Sequence, residues 1–198
     1  MNVSAFDRFR HPVVYAVRLF RGIRNYLTIA ALRAKGCSID WTAIIHPSAV
    51  FERSGGVIRV GPRTHVDRGV ILRAMGGAIH IGAHSNVNAY SFLSGGGGLD
   101  IKDHVMIASH VSIYASNHIF ANTDAPMNEQ GIMQKGITIE RDVWVGTGVR
   151  ILDGVCIGTG SLLAAGAVVT RSTAPGSING GVPARVIGYR ETDQTDSS

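Results

Sequence analysis

From Ile39 onward an aliphatic or aromatic residue returns at every sixth position. The series runs Ile39, Ile45, Phe51; Val60, Val66, Leu72; Ile81, Val87, Leu93; Ile101, Ile107, Ile113; and, after a gap, Ile139, Val145, Ile151, Ile157, Leu163 and Val169, eighteen hexads without a miss. Four residues after many of these sits a small or β-branched residue, among them Ala43, Ala49, Thr64, Ser85, Val105, Val143, Val149, Val155 and Ala167. A helix repeats near 3.6 and an open strand at two, so a period of six excludes both as the main element.

Six is the repeat length of parallel β-helices, in which each hexad is a short strand followed by a corner. Val and Ile suit the strands, and Gly, Asn, Asp and Ser suit the corners. The step lengthens to nine after Phe51 and Leu72, to eight after Leu93 and to twenty-six after Ile113. Every enlargement comes after a third hexad, so three hexads make one coil and every insertion leaves at the same corner. The reading is an all-β triangular prism of six coils, about 29 Å tall at about 4.8 Å per coil.

Composition is compatible with this fold. The 198 residues are 45% hydrophobic, enough to bury a core, and the 25 glycines show no collagen period. Charge is concentrated at one end: residues 1–35 carry Arg8, Arg10, Arg18, Arg21, Arg24, Arg33 and Lys35 against Asp7, a net +6, leaving about −1 for the rest of a chain whose total is +5. No apolar run approaches the roughly 18 residues of a membrane span, and no apolar stretch followed by small residues marks a secretory signal. A cytoplasmic protein is expected. Cys37 and Cys156 form no CxxC and suit a reducing compartment, and both are read as buried small apolar side chains.

The chain divides into four segments: a basic amphipathic helical segment over 1–38, the prism over 39–174 with an excursion at 119–138, a C-terminal segment over 175–190, and a polar, disordered tail over 191–198. In the first, Phe6, Phe9, Val13, Val17 and Phe20 recur at roughly helical spacing between arginines. Such a helix either packs over the open end of the prism or attaches peripherally to an anionic membrane.

One corner is unlike its neighbours. The last two places of the third hexad read Gly55-Gly56, Gly76-Gly77 and Gly97-Gly98 in the first three coils, but Asn117-His118 in the fourth. Glycine pairs turn the chain and leave the corner bare, and Asn117 is expected to keep the same left-handed backbone. His118 then projects an imidazole beside a cleared groove. The long loop after it carries Ile119, Phe120, Met127, Ile132 and Met133, residues expected to pack on a neighbouring subunit. Imidazole can take up and release a proton near neutrality, so His118 is the candidate general base, with Asp124 or Glu129 or a backbone carbonyl as possible orienting partners.

The run ITIERDVWVGTGVRILDGVCIGTGSLLAAGAVVT, leading into GGVPARVIGYR, resembles the hexapeptide-repeat acetyltransferases of the maltose and galactoside branch, and more closely those of bacterial surface polysaccharide synthesis. The resemblance extends over roughly residues 39–190. It implies a left-handed β-helix, a homotrimer with active sites between adjacent prisms, acetyl-CoA as acyl donor, a sugar or glycan acceptor, and His118 as the catalytic histidine. It also implies that Thr147, Ala165, Thr170, Arg171 and Arg185 contact the cofactor, with Arg190 a candidate for a basic residue that relatives carry where this chain has Gly188. Trp144, in register with Met106 and Asn86, either lines the site or packs on the outer face. Asn88 and Asn117 are candidate acceptor contacts, although Tyr90 departs from the family's small polar residue.

Other functions fit less well. His84 and His104 share a column, and zinc-dependent carbonic anhydrases use the same prism, but the spacings His80 to His84 and His104 to His110 do not match theirs, so no metal is expected. A non-catalytic scaffold leaves the loop and His118 unexplained. Within transferases, O-acetylation of a sugar needs a base more than N-acetylation of a nucleotide-linked amino sugar does. No nucleic-acid partner is expected, and the basic helix suits a membrane-proximal glycan.

Overall fold

The computed structural model describes residues 5–191, with side chains from residue 14 onward. The side chains of Phe6, Phe9 and Val13 and the tail from 192 lie outside the described residues.

The hexads form a left-handed parallel β-helix. Three parallel sheets make the faces of the prism, each coil giving one short strand to each face. The first sheet runs from Ser38–Ile39 to Cys156–Ile157, the second from Ile44–Ile45 to Leu162–Leu163, and the third from Val50–Glu52 to Val168–Val169. Register tracks the hexads without slippage: Phe51 lies over Leu72, Leu72 over Leu93 and Leu93 over Ile113, and Ile113 pairs with Ile151 across the long insertion.

Seventeen of the eighteen hexad residues are buried. Phe51 is half-buried. The second column behaves likewise, with Thr64, Ser85, Val105, Val143, Val149 and Ala167 all inside. The buried hydroxyls find partners on the adjacent coil: Ser85 Oγ donates to the Lys102 carbonyl at 3.1 Å and accepts from Val105 N–H at 3.0 Å. A buried polar group satisfied in this way avoids its desolvation penalty.

At the C-terminal end, Ser177–Gly180 extends the second sheet and turns back as the antiparallel strand Arg185–Tyr189. At the other end stands helix α1, Ala5–Ala34, about 45 Å long at 1.5 Å per residue. Among its described side chains, those of its last part seat on the prism. Ile29 is 0% exposed, and the Asn25 side chain donates to the Ala43 carbonyl and accepts from Ile45 N–H, both bonds satisfying first-coil backbone. Tyr26 stacks on Trp41 with ring centroids 5.0 Å apart. Residues 14–24 are all exposed, with Leu19 at 67% and Phe20 at 65%. Among the described side chains, capping the prism therefore accounts for about the last third of the helix and leaves Val14, Tyr15, Val17, Leu19 and Phe20 uncovered.

Cys37 is buried as expected, whereas Cys156 is exposed. Alternation explains the difference: Cys156 precedes the inward Ile157 and must face outward, while Cys37 lies two places before Ile39 on the same face.

Candidate active site

At the fourth coil the corner between the third and first sheets opens into an excursion. Asn117 and His118 do not continue the turn. They pair antiparallel with Met133 and Ile132, forming a two-stranded hairpin that leaves the prism. The expectation that Asn117 keeps a left-handed backbone is thereby corrected, since Gly55 and Gly76 have φ of 83° and Asn117 has no positive φ. Strand pairing across the loop outweighs the local turn preference of asparagine. The excursion is also shorter than the spacing implied, because Ile137–Ile139 is already a strand paired with Leu99–Ile101.

The loop has an internal brace. Gln130 accepts from Asn122 N–H at 3.0 Å and donates to the Asn122 and Ala125 carbonyls at 2.7 and 2.8 Å. Its return is pinned by Asp153, whose carboxylate accepts from Lys135 N–H at 2.9 Å and Gly136 N–H at 2.8 Å. Neither residue stood out in the sequence. Asp153 sits in an ordinary Asp-Gly corner, and its one distinguishing mark is that this corner lies one coil beyond the departing loop.

His118 is exposed at the base of this hairpin, and among the described residues its imidazole makes no side-chain hydrogen bond. Asp124 and Glu129 are also exposed, and neither bonds to it. The five apolar loop residues remain uncovered within one chain, with Phe120 at 61% and Met127 at 64%.

The other candidates fall in three groups. Asn88, Thr147 and Ala165 line the edge between the second and third sheets, on coils three, five and six. Thr147 Oγ1 donates to the Ser109 carbonyl at 2.8 Å, and its own carbonyl accepts from Gly166 N–H at 2.9 Å. Trp144 lies on the outer face of the second sheet, paired with Met106 and half exposed. Thr170 and Arg171 leave the last coil near the loop edge, where Arg171 and Arg185 together line a small cavity of about 130 Å³. That pair of guanidinium groups is suited to phosphate oxygens. Arg190 is committed elsewhere: its guanidinium bonds the Asp142 carboxylate at 2.8 Å and the Gly160 carbonyl at 3.1 Å. One chain therefore places His118 and the Asn88–Thr147–Ala165 column on different edges of the prism.

The histidine column is a stack. The His84 and His104 rings lie parallel, 2° apart with centroids at 5.0 Å, so they meet by their faces and not by converging nitrogens. Among the described residues no group of three His, Cys, Asp or Glu side chains converges as metal ligands would. Tyr90 stacks similarly on His110 at 5.5 Å.

The coiled hexads place the chain among parallel β-helix proteins, and residues 136–171 match the family described as "Bacterial transferase hexapeptide (six repeats)". The chain is 31% identical to the galactoside O-acetyltransferase of Escherichia coli K12 over 201 residues, covering 99% of this chain and 93% of that protein. It belongs to the hexapeptide-repeat acyltransferases. It is also 30% identical to the putative lipopolysaccharide biosynthesis O-acetyl transferase of the same organism over 145 residues, 69% of this chain and 74% of that one. Among solved structures it resembles the N-acyltransferase AntD of Bacillus cereus, crystallised with dTDP and 3-hydroxybutyryl-CoA, with a TM-score of 0.74, 26% identity and coverage of 84% and 90%.

Proposed function

We propose that this enzyme transfers an acetyl group from acetyl-CoA to a sugar hydroxyl in the synthesis of bacterial surface polysaccharide or lipopolysaccharide, with His118 as general base. The observation that carries the proposal is the position of His118, an exposed imidazole with no side-chain hydrogen bond among the described residues, at the corner where the stack opens. In the proposed reaction the imidazole accepts the proton of the acceptor hydroxyl while its oxygen attacks the thioester carbonyl carbon. The tetrahedral oxyanion collapses, the carbon–sulfur bond breaks, and the imidazolium returns the proton to the departing thiolate. Holding donor and acceptor at this point supplies most of the remaining acceleration.

Thr147, Ala165, Thr170, Arg171 and Arg185 would hold the donor, the arginines at its phosphates, while Asn88, Asn117 and Trp144 would contact the acceptor. Because these groups lie on different edges of one prism, the reading requires a homotrimer in which the loop edge of one copy faces the Asn88–Thr147–Ala165 edge of the next. The uncovered loop side chains support it, since Phe120 and Met127 would be buried at that junction. The enzyme is placed by this reading in the cytoplasm, with residues 1–35 resting on the anionic inner face of the membrane.

A second reading, N-acylation of a nucleotide-linked amino sugar, is favoured by the likeness to AntD. The two separate by product chemistry. Incubation with acetyl-CoA and either galactosides and polysaccharide fragments or a dTDP-linked amino sugar is monitored by thiol release and by treatment of the product with mild alkali. An alkali-labile ester supports the first reading. An alkali-stable amide formed only on the amino sugar overturns it in favour of the second.

A further inference from the structure

Near the opposite end of the prism from Arg171 and Arg185, α1 and the outer face of the second sheet enclose a cavity of about 290 Å³. Its polar lining comprises Arg21, Arg24 and Asn25 from the helix, Arg68 from the second coil, and His46 and His65 from the first two coils, with no carboxylate among them. Arg21 and Arg24 stand three residues apart and so share one side of the helix. Their placement is fixed by the next residue, Asn25, whose amide bonds the first coil at Ala43 and Ile45 and holds this part of the helix against the sheet.

Among the described residues these charges are only weakly neutralised, by Asp67 alone. Among the described residues, Arg21 and Arg24 form no salt bridge and no side-chain hydrogen bond. Arg68 reaches only its neighbour Asp67, at 4.0 Å, and that Asp67 oxygen already accepts the Arg68 backbone N–H at 2.6 Å. His46 Nδ1 is 2.8 Å from Ser48 Oγ, and its other ring nitrogen has no hydrogen-bond partner among the described residues. Three guanidinium groups gathered around one concavity repel one another, and a bound anion reverses that repulsion. The planar fork of arginine matches tetrahedral oxyanions in particular, and the space accommodates a phosphate or diphosphate group with some of its water.

We infer that this cavity is a binding site for a phosphate or diphosphate group, separate from the transfer site and independent of the acetyl transfer proposed above; only its lipid form bears on the membrane contact proposed for residues 1–35. The same chemistry is offered by a soluble diphosphate and by the headgroup of an anionic lipid. The exposed Phe20, beside Arg21 and Arg24 on the helix, gives an amphiphile's apolar part somewhere to rest.

The full chain is tested in two arms at low ionic strength. In one, sodium pyrophosphate is titrated calorimetrically against a chloride control of equal ionic strength. In the other, the protein is floated with phosphatidylcholine vesicles with or without phosphatidylglycerol. Saturable pyrophosphate binding identifies a soluble source, and capture only by phosphatidylglycerol vesicles identifies a lipid source. In whichever arm responds, Arg21→Ala/Arg24→Ala and Arg68→Gln should each weaken binding at least tenfold with an unchanged melting temperature. Arg18→Ala, which removes the same charge from the same helix outside the cavity, should weaken it less than threefold. No response in either arm overturns the inference. So does an Arg18→Ala effect as large as that of Arg68→Gln, because diffuse charge would then explain the binding.

Discussion

Replacing His118 by alanine tests the proposed base with little structural confusion. The side chain is exposed, it makes no hydrogen bond among the described residues, and the pairing of its strand with Ile132 uses backbone groups that alanine retains. An exposed substitution of this kind changes stability by no more than about 0.5 kcal/mol, which for a chain of this length moves the melting temperature by about 1 °C. Loss of a general base lowers the rate by about 10² to 10⁴, or about 2.7 to 5.4 kcal/mol of transition-state stabilisation. The effects on stability and rate should therefore separate widely. The assay measures free thiol released from acetyl-CoA with the acceptor at saturation, beside a thermal melt and a sedimentation measurement of assembly. Turnover within tenfold of wild type would refute the assignment, and so would an activity loss accompanied by dissociation or by a melt lowered several degrees.

Gly97→Ala should destabilise the root of the loop, because an added Cβ would lie 2.6 Å from the Ala115 carbonyl oxygen and 2.8 Å from the Gly136 nitrogen, both backbone atoms. Overpacking of this order costs about 1–3 kcal/mol, a fall of roughly 2–7 °C in a thermal melt. Asp153→Asn removes one carboxylate oxygen from the pair that receives the Lys135 and Gly136 N–H groups, at a cost of about 1 kcal/mol at this half-buried site, and should speed proteolysis within residues 119–136 while slowing turnover several-fold. Unchanged cleavage in Asp153→Asn would count against the pinning role. Burial raises the Cys37 thiol pKa above its ordinary value, against the smaller lowering by Arg53 and Lys35. A pKa raised in the folded state gives stability that is complete below the unfolded value and is lost as pH rises through the folded one, so stability should decline above about pH 9. Denaturant melts across that range should show a shallower decline in Cys37→Ala, and an identical decline would rule Cys37 out as its cause.

The fold is legible in the sequence wherever packing is repetitive. Each coil sits on another of the same cross-section, so an inward position is constrained once per hexad and the constraint is written eighteen times. Phe51 marks its limit: among the described residues the end of α1 covers the first coil chiefly over the first two sheets, and this residue of the third sheet is half open. The alternation that assigns Ile157 inward also assigns Cys156 outward, so the expectation of a buried Cys156 relied on residue type where position was decisive. Asn117 shows the opposite limit, because its conformation depends on Met133 across the loop, a pairing that no period announces. For the site, the opening at Asn117-His118 was visible as a broken column, whereas Asp153 was not, since a carboxylate beside a corner glycine reads as an ordinary turn until the loop is seen to return over it. A hexad repeat thus fixes a residue's height on the prism and whether it faces in or out. Which edge meets which across a subunit boundary depends on outward side chains that share no period. The proposed pairing of the His118 edge with the Asn88–Thr147–Ala165 edge therefore draws its support from uncovered apolar surface and from the separation of the two groups on one chain.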